Sequence, residues 1–121
     1  MSFDLAVWEG PMPPSDEEAL AEYLRMMEQW QGEGTPPYAE PTPAIRAYVA
    51  ALLERWPDIT TDEGEDSPWA DGPIIGNATG PLCYFAMTWS RADEASAFAA
   101  TVAKAHGLVC FDPQSEALRS N

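Results

Sequence analysis

Apolar residues along this chain fall into short runs suited to strands and three longer stripes whose three-and-four spacing suits helices. Phe3-Asp4-Leu5-Ala6-Val7-Trp8 alternates, with Phe3, Leu5 and Val7 on one face and Asp4, Ala6 and Trp8 on the other, and predicts a first strand. Gly10-Pro11-Met12-Pro13-Pro14 ends it. Ser15-Asp16-Glu17-Glu18 is a capping box, whose serine accepts from the amide three residues on and whose extra carboxylates suit the positive end of a helix dipole. The helix it opens carries Leu20, Tyr23, Leu24, Met27 and Trp30 as its buried stripe, until Gly32-Glu33-Gly34 stops it. Thr42 caps a second helix with Pro43 in its first turn, where a missing amide hydrogen costs nothing. Ile45, Tyr48, Val49, Leu52, Leu53 and Trp56 form its stripe, and Pro57 ends it.

Residues 58–72 are acidic and turn-rich, which predicts an exposed loop. Residues 73–77 then read as a short strand, Ala78-Thr79-Gly80-Pro81 as a turn and residues 82–89 as a longer strand, together a β-hairpin. Ser90 caps a third helix with the stripe Ala95, Phe98, Ala99, Val102 and Ala103, closed by Gly107 as a left-handed C-cap. A last strand over 108–112 stops at Pro113. The order β-α-α-β-β-α-β predicts one α+β domain over residues 1–121. Helical crossovers favour parallel neighbours and the hairpin an antiparallel pair, so the expectation is a ferredoxin-like, four-stranded mixed sheet with helices on one face. A different sheet order is compatible with the same pattern.

Charge changes this picture most. Twenty Asp and Glu oppose six Lys and Arg, a formal net charge of −14 on 121 residues, yet 45% of the chain is hydrophobic, so the acid decorates a folded domain. Such a field attracts basic partners and repels phosphate backbones, and the scattered cations form no basic stripe, which argues against nucleic-acid binding. No apolar run approaches the ~20 residues of a membrane span, and residues 3–8 lack the basic leader of a signal peptide, so the expected location is cytoplasmic. Cys83 and Cys110 each sit in an apolar run and read as buried free thiols.

Candidate chemistry is sparse. Patterns for a nucleophile elbow, a zinc protease or a phosphate loop are missing, and the single histidine, His106, is placed at a helix end where the dipole favours it. The acidic stretch over 58–66 resembles a calcium loop only superficially, because its acids miss the required order and the twelfth-position Glu. No cofactor or metal is expected. Trp30 and Trp56 lie on helix stripes and read as core; Trp8, Trp69 and Trp89, at strand ends or in the acidic loop, also read first as core packing, with the lining of an open sheet face or loop-edge pocket as the alternative. An exposed Trp69 within Ser67-Pro68-Trp69-Ala70-Asp71 would be an aromatic anchor flanked by carboxylates.

Ser2-Phe3-Asp4-Leu5-Ala6-Val7-Trp8-Glu9, Ser67-Pro68-Trp69 and His106-Gly107-Leu108-Val109-Cys110-Phe111-Asp112-Pro113-Gln114 together resemble a set of small, acidic, uncharacterised bacterial proteins. Some of these look like immunity proteins of polymorphic toxins. The resemblance implies a non-enzymatic inhibitor and carries over no catalytic residue. Size, charge and the missing catalytic set make the first functional expectation an acidic binding protein that covers a basic toxin or nuclease, with Glu63, Glu65, Asp66, Trp69 and Asp71 as contact residues. A second is a small-ligand protein or small enzyme using an open sheet face, with His106 or Asp112 near a pocket lined by Tyr84 and Trp8. A third is a homodimeric structural module, so the expected state is monomer or homodimer.

Overall fold

Strand β1 (Ser2–Trp8) pairs along both of its edges, and the sheet grows outward from it. The computed structural model describes residues 2–31, 40–57, 67–70 and 74–119. After β1 come α1 (Asp16–Gln31), α2 (Pro43–Arg55), β2 (Ala78–Thr79), β3 (Leu82–Thr88), α3 (Ala92–Ala105), β4 (Val109–Asp112) and β5 (Ala117–Leu118). The result is an α+β fold with an open sheet in the order β2-β3-β1-β4-β5.

Among the described residues every strand pairing is antiparallel, which corrects the expected mixed sheet. The reason lies in the connections. β1 and β2 run parallel but β3 stands between them, and β3 and β4 run parallel but β1 stands between them. Each helical crossover skips a strand, so two interleaved units leave only antiparallel neighbours in contact.

Among the described residues the expected four strands become five. After β4, the Asp112 carboxylate accepts from the amides of Gln114 (2.9 Å) and Ser115 (3.3 Å) and from the Ser115 hydroxyl (2.8 Å), reversing the chain. Glu116 completes the reversal at φ 53°, and β5 pairs back through Phe111 with Leu118 and Asp112 with Ala117. Two residues carry no readable period, so this strand exists only because β4 offers it an edge.

Helices cover both faces of the sheet, where one covered face was expected. Leu5 and Val7 of β1 face Cys83, Phe85 and Met87 of β3 and Cys110 of β4 toward α2 and α3, whose Ile45, Tyr48, Val49, Leu52, Ala95, Ala99 and Ala103 complete the larger core. Ala6 and Trp8 point the other way, with Leu82, Val109 and Phe111, against Ala19 and Met26 of α1. Both sides of β1 are apolar beyond Asp4, so two layers of helix are needed to dry it. Leu24, expected in the α1 stripe, is instead 57% exposed, while Met26 takes the buried place.

Local signals account for most helix ends. Ser15 Oγ accepts from the Glu18 amide (3.2 Å) and Thr42 Oγ1 from the Ile45 amide (3.3 Å), with Pro43 opening α2. Gly107, at φ 70°, closes α3 with its amide on the Lys104 carbonyl and that of Leu108 on Ala103, the paired bonds of a Schellman cap. Ser90 does not cap α3. Trp89–Arg91 form a 3-10 turn, and α3 begins at Ala92 with Arg91 paired to Glu94.

The hairpin is also shifted. Ile74–Asn77 form a 3-10 turn where a strand was expected, and the strand is Ala78–Thr79. Thr79 pairs with Leu82, leaving Gly80-Pro81 as a two-residue loop whose first position has φ 57°. Gly80 is required there twice over, because an added Cβ would also lie 2.8 Å from the Trp30 ring.

Candidate functional site

Of the five expected contact residues, Glu63, Glu65, Asp66 and Asp71 lie outside the described residues, as does the acidic stretch at 58–66. Trp69 is described, and it is fully buried. Its indole N–H donates to the Trp56 carbonyl (2.8 Å), and its ring meets Trp56 and Phe85 edge-on at 5.7 and 5.9 Å. The backbone around it is pinned to β3: the Ala70 amide donates to Ala86, the Thr88 amide donates to Pro68, and Trp69 bridges to Met87. An aromatic anchor for a partner must be exposed, so Trp69 does not fill that role. It fastens the end of the acidic stretch to the sheet edge, a long-range contact that no local pattern announces.

The described carboxylates are mostly exposed. Helix α1 carries Asp16, Glu17 and Glu18 in its first turn, then Glu22 and Glu28, against Arg25 alone. Glu17, Ala21, Leu24 and Glu28 follow the spacing of one outward ridge, all exposed, with the apolar Leu24 between acids. The sequence stripe had assigned Leu24 to the core; only its exposure marks it as a surface residue. Ion pairing among the described residues uses Arg25 with Glu22, Arg46 with Glu40 and Arg91 with Glu94. Salt bridges at such exposed positions contribute about 0–1 kcal/mol to stability, and with 20 acids against six bases the net charge stays at −14.

The residues of the second expectation lie on the sheet and at the end of α3. Trp8 is buried against Phe111 (ring centroids 6.0 Å), and Tyr23 of α1 covers Phe111 at 5.1 Å and Tyr84 at 6.4 Å. Tyr84 donates to Asp4 Oδ2 (2.9 Å); burial first, then the Asp4 carboxylate, raises its phenol pKa, so it stays a neutral donor. Asp112 is buried but spends its carboxylate on the turn after β4. Gln114 in that turn accepts from the Asp4 amide (2.7 Å) and donates to the Asp4 carbonyl (2.8 Å), so Asp112-Pro113-Gln114 is a latch on β1. His106 is exposed at the end of α3, with Tyr48 edge-on at 6.4 Å.

Cys83 and Cys110 are free and buried, as expected. Both pair across from Val7 on opposite edges of β1, which places their backbones two strand spacings apart, roughly 9–10 Å. That exceeds the reach of a disulfide. Burial pushes each thiol from an ordinary 9.0 up to about 12, so neither is a ready nucleophile.

One cavity combines apolar walls with charge. Its volume is about 230 Å³, and it lies where α3 meets the β4–β5 edge, lined by Met12, Ala100, Lys104, Leu108, Cys110, Leu118 and Arg119. The Arg119 amide donates to the Cys110 carbonyl (2.8 Å), continuing the β5 pairing, and its guanidinium donates to Ser96 Oγ (3.1 Å). Sequence patterning could not foresee this cavity, because one wall is the unannounced fifth strand. Among the described residues no group of His, Cys, Asp and Glu converges as a metal site, and no helix is long and apolar enough to cross a membrane. Compared with protein-family models, curated proteins and solved structures, the chain has a match to none.

Proposed function

We propose that this chain is a non-enzymatic acidic binding protein of the cytoplasm, an inhibitor that covers the basic functional surface of a toxin or nuclease in the manner of an immunity protein. The observations that support it are the net charge of −14 and, among the described residues, the exposed α1 ridge of Glu17, Leu24 and Glu28, which presents an apolar side chain between acids. A complementary field speeds encounter, and an apolar residue within it supplies contact area once the partner docks. Glu63, Glu65, Asp66 and Asp71 extend the same chemistry and remain contact residues of the proposal. A ferredoxin-like core, supported by the order β2-β3-β1-β4, would serve as the rigid scaffold, with β5 and the opposite-face α1 as additions.

The experiment is capture of a basic partner at low salt, followed by titration with the purified partner. Wild type is compared with Glu63→Lys/Glu65→Lys/Asp66→Lys/Asp71→Lys and with Glu17→Lys/Leu24→Ser/Glu28→Lys. The expected result is one-to-one inhibition of the partner's activity, with affinity falling about tenfold or more from low to physiological ionic strength and in at least one variant. Affinity and salt dependence unchanged in both variants would defeat the proposal.

A further inference from the structure

The six cations of this chain are not used alike. Arg25, Arg46 and Arg91 each pair with a carboxylate, and Arg55 lies over the rings of Trp56 (4.6 Å) and Phe98 (5.3 Å). Lys104 and Arg119 are different. Among the described residues neither has a carboxylate partner, although acids outnumber bases more than threefold. Both line the same cavity.

The cavity is built by chain geometry. Ser96, Ala100 and Lys104 follow each other at one-turn spacing on α3, so Ala100 leaves room where a larger residue would fill it and Lys104 stands one turn further on. Leu108 and Cys110 are buried beneath, Leu118 and Arg119 close the sheet side, and the 63% exposed Met12 lines it from the turn before α1. The Ser96 hydroxyl holds the Arg119 guanidinium, which retains N–H donors for a further acceptor.

We infer that this cavity is a binding site for a small carboxylate with an apolar body, its head group taken by Lys104 and Arg119 and its body by Ala100, Leu108, Cys110 and Leu118. Size limits the ligand. A cavity of ~150 Å³ holds a benzene ring, so about 230 Å³ suits a body slightly larger, such as a medium-chain aliphatic tail. Charge selects it, because an apolar cation meets two like charges and an alcohol leaves the guanidinium without its ionic partner. This site is separate from the protein-partner reading and does not depend on it.

Octanoate is the probe, followed by amide chemical shifts, with 1-octanol as the uncharged control. The expected result is saturable shifts confined to the cavity-lining residues Met12, Ala100, Lys104, Leu108, Cys110, Leu118 and Arg119 and their immediate neighbours. Affinity should fall roughly tenfold, the worth of one charge-assisted hydrogen bond, in Lys104→Gln and further when Arg119→Gln is added. Lys104 is exposed, so Lys104→Gln alone keeps the test valid where the double variant fails to fold. The inference is overturned by no saturable shifts, by shifts elsewhere, by 1-octanol binding as well as octanoate, or by unchanged affinity in folded Lys104→Gln.

Discussion

Two glycines show how one residue can be needed for different reasons. Gly80 and Gly107 both sit at positive φ, but only Gly80 has a neighbour, the Trp30 ring, within reach of a new Cβ. Gly107→Ala should therefore cost about 1 kcal/mol, the backbone term alone. Gly80→Ala should cost about 3 kcal/mol, because overpacking against Trp30 adds to the same backbone term. Urea denaturation of both variants checks this, and equal losses would mean that the ring moves aside freely. The turn at Gly80-Pro81 was readable from residue types, but the Trp30 contact was not, since about fifty residues separate them. Trp69 makes the same point more sharply. Its neighbours Ser67, Pro68 and Asp71 suggest an exposed loop, while its ring is enclosed by Trp56 and Phe85 from distant elements.

Among the elements, α2 is the one most fully written in local sequence. Thr42, Pro43, a regular apolar stripe and Pro57 all act within a turn or two of the helix they define. The β4–β5 hairpin is the opposite case, held by a buried carboxylate and by the Gln114 latch on Asp4. Gln114→Ala should cost about 1 kcal/mol and speed hydrogen exchange at the Asp4 amide. Gln114→Glu should be worse than alanine, since it loses the donor to the Asp4 carbonyl and sets a second carboxylate beside Asp112. Unchanged exchange at Asp4 in both variants would show that the latch is not formed in solution. The α3–β5 cavity inherits this hairpin as a wall, so its legibility in sequence was no better.

At the scale of the whole molecule, the buried thiols set how stability depends on alkaline pH. Cys83 and Cys110 ionise at an ordinary 9.0 when unfolded and near 12 when folded, so folding keeps them protonated. Their contribution is fully present below pH 9 and is lost as pH rises toward 12. The phenols of Tyr48 and Tyr84, raised chiefly by burial, act with the same sign above pH 10. Denaturant midpoints should hold steady from pH 7 to 9 and fall between pH 9 and 11, with thiol labelling at pH 8 slow until the chain is unfolded. A constant midpoint up to pH 11 would mean that the thiols are hydrated.

Periodicity, caps and charge are properties of neighbours along the chain, and by themselves they determined the three helices, the central strands, the α+β class and the acidic character. Tertiary structure decided what depends on meetings between distant segments. It set the antiparallel order, because each crossover skips a strand, and the two-faced sheet, because both sides of β1 are apolar. It also made the fifth strand, the buried place of Trp69 and the gathering of Lys104 and Arg119 at one cavity. Long-range contacts of this kind are selected by the burial of whole faces, a quantity that exists only once the chain has closed on itself.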